Sequence, residues 1–529
     1  MQAISAKPKN GNGMKREEGC GSAIATSLRL LKERYGRMAA ISAALLAPCY
    51  WHARIEAGDL ASHVYNAWLG QLIERGQAHG LYIARQWNNV LFDRVLLGLA
   101  NLVGFAWAER IAVSACVLIF FWGAFAFIGA AARRAPWYLV PGIAMIAYGW
   151  TFHVGFMNYY VALGFAFAAA ALFWRGRGTD WIAGTLLAGV AFIAHPLGLV
   201  WLAGIVVYVK AADVWRGAWR WVLPAAAMAA VFGARTFLMH RFRTDAMETA
   251  HFYFYTGADQ IALFSPRYVW LAGITLALGL AALLYATLVD REGQETRWKV
   301  RVPLELWCVS VFAAAILPND VYLPHYAAPA ALLVQRLTST TAVLALCIVA
   351  CLEPKRRYLA GLALCVAIFF AWDYQDTGTV NRMEAQASQL VSGLPQGERV
   401  TASIWFPLRA ATGEGSGNGF EEWLGKHFVG ISYLGHIVDR ACIEHCFSYA
   451  DYEPASGQFR IRAAANNAMV TTSPDDSSLM ETGRYVLRPE DLPMAQICQC
   501  DAADQTKLCL RELKAGELNG QGCFRPPNR

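Results

Sequence analysis

Between Ile111 and Phe173 the chain carries no aspartate or glutamate, and its only basic pair is Arg133 and Arg134. A charge at the centre of a bilayer span costs about 2.5 to 3.5 kcal/mol on insertion scales. So long a stretch without acids is the mark of a segment whose solvent is lipid. With 56% hydrophobic residues, 16% charged residues and a mean hydropathy of +0.31, the chain of 529 residues is too apolar for a water-soluble protein. The formal net charge of +7 is divided among short basic clusters between apolar runs. That pattern excludes a nucleic-acid surface and points to membrane orientation.

The fold expected is mainly α, a polytopic membrane helix bundle over residues 25–374 followed by a small soluble α/β domain over residues 375–529. Spans are predicted near residues 38–54, 109–131, 135–152, 156–174, 181–195, 196–213, 219–239, 268–289, 303–318, 339–353 and 358–374, about eleven in all. Several fall short of the roughly 20 residues that cross upright, so residues 181–213 can form one bent hairpin around His195 and Pro196. The clusters Arg29 to Arg37, Arg133–Arg134, Arg175 and Arg177, Lys210 to Arg220, Arg291 to Arg301 and Lys355 to Arg357 then share one side, flanked by Trp137, Trp174, Trp181, Trp215, Trp219 and Trp221. The positive-inside rule makes that side the cytoplasm of a bacterial inner membrane, with the N-terminus inside and the tail in the periplasm. Residues 1–24 are polar and Gly-rich and are predicted to be disordered. The stretch Met38–Ala47 before Cys49 imitates a leader, but the basic segment preceding it is long, Pro48 fits a cleavage site poorly, and many spans follow.

This count requires residues 90–106 to lie along the membrane. Leu91, Val95, Leu99 and Leu102 share one helical face, and Asp93, Arg94 and Asn101 interrupt a lipid-buried reading. A true span there is the alternative. The first long outer loop, His52 to Ala108, thus holds two amphipathic helices. In the first, Leu60, Val64, Trp68 and Leu72 form an apolar stripe, with Asp59, His63 and Asn66 on the opposite, wet side.

An acid after the first span, in the text Gly58-Asp59-Leu60-Ala61-Ser62-His63-Val64-Tyr65-Asn66-Ala67-Trp68-Leu69, with a second helix over Val90–Gly104, resembles the GT-C superfamily of membrane glycosyltransferases. The segment Gly155-Phe156-Met157-Asn158-Tyr159-Tyr160 is similar to uncharacterised bacterial membrane proteins assigned to that superfamily. The resemblance implies transfer of a sugar, with inversion, from a polyprenyl-phosphate-linked donor to a glycan, lipid or protein acceptor on the outer face. It makes Asp59 the base, with His63 beside it. An aspartate directly before an amphipathic helix is also a helix N-cap. A lipid phosphate needs cations on the same side, and Arg235, Arg241, Arg243 and Arg267 are the candidates, though Arg235 can equally snorkel to the interface. Asn66, His153, Asn158, Asp320 and His325 are candidate substrate ligands, with Asp320 in a Pro-Asn-Asp turn. No second acid stands in the loop around His153, which weakens a metal site, so a divalent ion is left open as a cofactor.

In the tail, strands are predicted at Arg399–Trp405, Phe428–Tyr433, Gln458–Arg462, Arg484–Leu487 and Lys507–Leu510, after a helix over residues 381–393. Six of the thirteen cysteines lie there: Cys442, Cys446, Cys498, Cys500, Cys509 and Cys523. An even cluster beyond the cytosol means disulfides, with Cys498 or Cys500 facing Cys509 favoured by proximity. A zinc half-site at Cys442–Cys446 is the competing reading. The competing functions are a transporter or flippase of a lipid-linked glycan, for which His195–Pro196 is the best argument, and a non-catalytic membrane protein that binds a partner through its tail.

Overall fold

A computed structural model of the chain describes residues 32–215, 219–246, 255–289, 293–324, 326–352, 354–404, 436–451, 453–464, 494–501 and 506–514, with Leu434, Asn467, Met469, Asp504 and Cys523. Residues 1–24 and the strands predicted at Phe428–Tyr433 and Arg484–Leu487 lie outside them. Met1–Pro48 and Cys49–Arg529 are two separate compact units. In the first, residues 32–45 form helix α1.

The described residues of the second unit are mainly helical. Seven helices are long and apolar enough to cross a bilayer. The loop region opens with α2 (Leu60–Glu74), strand β1 (Leu81–Ile83) and α3 (Leu91–Val103). The bundle follows, with α4 (Phe105–Ala132), α5 (Val140–Ala147), α6 (Trp150–His153), α7 (Met157–Arg175), α8 (Gly178–Ala194), α9 (Pro196–Val214), α10 (Trp219–Arg241), β2 (Arg243–Asp245), α11 (Pro266–Leu284), α12 (Gly293–Ile316), β3 (Asp320–Tyr322), α13 (Leu333–Leu352) and α14 (Arg356–Ser392).

The segment expected to cross at 135–152 is interrupted. Helix α5 stops at Ala147, and α6 restarts at Trp150 against the turn at Ala258–Ile261, where Gln260 Oε1 accepts hydrogen bonds from Thr151 N and Oγ1. That turn belongs to a loop that enters the bundle. Gly257 (φ +88°) sits so close to α13 that a Cβ would lie 2.4 Å from Ala342 N, and Gln260 Nε2 donates to the Gln335 carbonyl and Thr338. Non-helical backbone at this depth is tolerated because protein surrounds and satisfies it.

Helix α3 has 13 residues, about 20 Å of rise. Phe92, Leu96, Leu97 and Ala100 are buried on one side, while Val95 and Leu102 are exposed on the other. An exposed apolar face beside a buried one suits a helix lying on lipid.

Helix α14 runs without a break for 37 residues, past residue 375 and into the tail. Its last turns carry Val380, Met383, Ala387 and Val391 into a core shared with Tyr65, Trp68 and Leu69 of α2, Val400 and Ala402 of β4 (Arg399–Ser403), and Ile437 and Val438 of α15 (Ile437–Cys442). Of the apolar stripe of α2, Trp68 and Leu72 therefore pack against the tail. The remaining tail elements are β5 (Phe447–Ser448), α16 (Glu453–Ser456), β6 (Ile461–Ala463), β7 (Met494–Gln499) and β8 (Leu508–Leu513). A mixed four-stranded sheet has the order β5-β4-β7-β8, and β6 pairs antiparallel with β1 of the first loop.

Three cysteine pairs sit at bonding distance, Cys442–Cys446, Cys498–Cys523 and Cys500–Cys509, with Cα separations of 4.5, 5.6 and 5.7 Å. Cys498 and Cys509 are directly opposite in the β7–β8 register, yet each bonds elsewhere. Peptide mapping without reductant is expected to recover these three links and no Cys498–Cys509 peptide. Finding that peptide instead would refute the pairing.

Candidate functional site

Asp59 is held by backbone. Gly58 N donates to the His153 carbonyl at 2.8 Å and Asp59 N to the Val154 carbonyl at 2.9 Å. The next residue, Gly155, has φ +86°, and a Cβ there would stand 2.5 Å from Asp59 N. Only glycine meets both requirements. Gly155→Ala is expected to cost roughly 1 to 3 kcal/mol through the left-handed backbone alone, and to displace Asp59. A melting curve unchanged from the parent would contradict this.

Asp59 occupies the residue before α2 but makes no side-chain capping bond. Its carboxylate is therefore not spent on the helix end. It is 3% exposed, its Oδ1 lacks a hydrogen bond among the described residues, and His436 Nε2 lies 3.8 Å from that atom. Burial raises the Asp59 carboxyl above its ordinary value, partly offset by His436, His63 and Arg336. His436 is itself oriented: its Nδ1 is 2.6 Å from Asp439 Oδ2, and Ser448 Oγ donates to the other Asp439 oxygen.

The polar face of α2 is not wet, as its sequence led one to expect, because the tail covers it. His63 is 4% and Asn66 7% exposed. His63 Nδ1 contacts Asp93 Oδ1 at 2.7 Å and lies 3.8 Å from Glu453 Oε1. Asn66 Nδ2 donates to Asp451 at 3.0 Å and to Glu453 at 3.1 Å. Burial pulls the His63 imidazole down, but Glu453 and Asp93 outweigh it and hold the ring up at about 10. Burial raises Asp93 too, yet His63 and Asn158 reverse the sign and leave it below the usual carboxylate range. Glu453 is pushed up to about 7, by burial first, against the pull of His63. His63 is thus held toward its protonated form, between Asp93 and Glu453.

Asn158 joins this group as an organiser. Its Oδ1 accepts from Phe92 N at the start of α3 and its Nδ2 donates to Asp93 Oδ2 at 2.7 Å. His153 links the Glu56 carbonyl to α14, with Nε2 3.1 Å from Asp373 Oδ1. Asp320 accepts from Leu332 N at 2.9 Å and secures a turn in which Leu332 has φ +57°. His325 lies outside the described residues.

The expected phosphate cations are engaged in other ways. Arg235 Nε donates to the Ile316 carbonyl at 2.9 Å, at the C-terminal end of α12, where the helix dipole favours a cation. Arg241 and Arg243 are exposed, the latter stacked 4.4 Å from the Tyr322 ring. Arg267 pairs with Asp376 at 2.7 Å. The arginine whose field reaches Asp59 is Arg336, at the start of α13, whose guanidinium lies 4.1 Å from the Phe156 ring and 3.4 Å from His195 Nε2. His195 Nδ1 accepts from Leu197 N and so caps α9.

Sequence reasoning missed Arg336, Asp93, His436, Asp439, Asp451 and Glu453. The charge of Arg336, three residues before the span predicted at 339–353, was a signal. The tail residues gave none, because only the fold brings them to α2. Among the described residues no three His, Cys, Asp or Glu side chains are arranged to hold a metal ion.

No family model, curated protein or solved structure matches this chain.

Proposed function

We propose that the protein is a GT-C-type glycosyltransferase, which moves a sugar with inversion from a polyprenyl-phosphate carrier to an acceptor on the periplasmic face of a bacterial inner membrane. The observation that carries this reading is Asp59: a buried carboxylate at a helix start that makes no capping bond, with an oxygen that has no hydrogen bond among the described residues. Asp59 takes the proton of the acceptor hydroxyl or amine as the new bond forms at the anomeric carbon, and the bond from that carbon to phosphate breaks on the opposite side. Polyprenyl phosphate leaves without needing a proton, its charge met by Arg336. The three cysteine pairs support an oxidising compartment for the tail, and the basic loops support a cytoplasmic N-terminus.

The alternative of a flippase rested on His195–Pro196. His195 is already committed to capping α9, with Arg336 beside it, which favours the enzyme. The test is to reconstitute the protein in liposomes with polyprenyl-phosphate sugars and follow both the release of polyprenyl phosphate and the movement of intact donor between leaflets. Release supports transfer. Movement of intact donor with no release assigns the flippase.

A further inference from the structure

We infer that the half of the bundle remote from Asp59 holds an anionic phospholipid. One acyl chain fills a cavity among α5, α11, α12, α13 and α14, and the phosphate rests on Lys355 and Arg357. This stands whether or not the protein transfers sugars.

The cavity measures about 210 Å³ and is walled by side chains such as Met145, Ile146, Leu276, Leu283, Leu346 and Leu362. Water does not fill a space without polar partners, whereas the surrounding bilayer supplies hydrocarbon chains. Its end nearer Asp59 is lined by the loop that enters the bundle, at Thr256, Gly257 and Ala258, with Gly257 packed on Ala342 and Gln260 tied to Thr338. A chain descending from the Asp59 side meets that loop first. The other end is bordered by Pro354 and Tyr358.

At that end the chemistry suits a lipid phosphate. Lys355 donates to Tyr285 OH and lies 4.2 Å from its ring, and Arg357 lies 5.0 Å from the Tyr358 ring, which itself lines the cavity. Lys355, Arg356 and Arg357 are all exposed. Cations beside aromatic rings at the mouth of an interhelical apolar space are the elements of an anionic-lipid site. It belongs to the opposite leaflet, because α14 rises from Arg356 to Asp373, about 26 Å, before it reaches His153 beside the Asp59 loop.

The test uses the full-length protein stripped of lipid in detergent and incubated with phosphatidylglycerol or with phosphatidylcholine of the same chains, bound lipid being counted by native mass spectrometry. One phosphatidylglycerol is expected to remain, held about tenfold or more tighter than phosphatidylcholine. The double variant Lys355→Ala, Arg357→Ala should make the two lipids equal. Gly279→Phe, at a lining position where a Cβ meets nothing within 4 Å, should fill the space and lose both. Equal retention of both lipids by the parent overturns the proposal, as does unchanged preference in the double variant. One-for-one displacement by polyprenyl phosphate also overturns it, assigning the cavity to the sugar carrier. The double variant alters exposed side chains alone, so the proposal stays testable if Gly279→Phe does not fold.

Discussion

Asp59→Asn is expected to lower glycosyl transfer by about 10² to 10⁴, the usual contribution of a positioned general base, with the melting profile retained. The substitution keeps the size of the side chain and the backbone bonds of Asp59 to Val154, and it removes only the capacity to take a proton. Asparagine at this place also loses no cap, because Asp59 makes none. The pH dependence offers an independent reading. Burial raises the Asp59 carboxyl, so the base is protonated, and activity falls, as pH drops through a value above the ordinary aspartate range. His436 opposes that shift, so His436→Gln should move the acidic limb to higher pH still. Transfer by Asp59→Asn at the parental rate, or a limb unmoved in His436→Gln, would remove Asp59 from the mechanism.

Arg440→Ala is expected to destabilise the fold by about 3 to 5 kcal/mol, the cost of leaving buried charges without their partner. The guanidinium joins three parts of the chain. Its Nη1 donates to both oxygens of Glu384 on α14 at 2.7 Å, and its Nη2 reaches Glu109 on α4 at 3.2 Å and the Ile55 carbonyl at 3.1 Å. Glu384 and Glu109 are 0% and 5% exposed. Glu56, which lies outside the spanning helices, is raised well above its ordinary value by burial and by the nearby Glu384 charge. Arg54 supplies weaker, half-exposed support to Glu384 at 3.5 Å. The loss is to be measured by denaturation in mixed micelles, comparing Arg440→Ala with Arg440→Met, Glu384→Met. The double variant should recover part of the stability, because removing both charges avoids an uncompensated one. A single variant within 1 kcal/mol of the parent would show that Arg440 does not tie the tail to the bundle.

Much of the architecture was legible because lipid acts locally on a sequence. Every residue of a span faces the same penalty for charge, so α4, α7, α9 and α10 can be read from the chain with boundaries near those observed. The period of Leu60, Val64, Trp68 and Leu72 likewise marks a helix, since apolar side chains four apart fall on one face. What covers that face is a different matter. Trp68 and Leu72 share a core with Val400, Ile437 and Val438, more than three hundred residues along the chain, and Asn66 on the polar face lies under Asp451 and Glu453. Contacts at such separation leave no periodic trace.

The chain's own text thus determined a helical membrane protein, the helix that begins at Asp59 and a cysteine-bearing tail, because hydropathy and periodicity are properties of neighbouring residues. Tertiary structure alone decided that Asp59 is buried beside His436, that Arg336 is the arginine whose field reaches it, and which cysteines pair. Those depend on where distant segments meet, and the burial that sets the charge state of each group exists only once they have met.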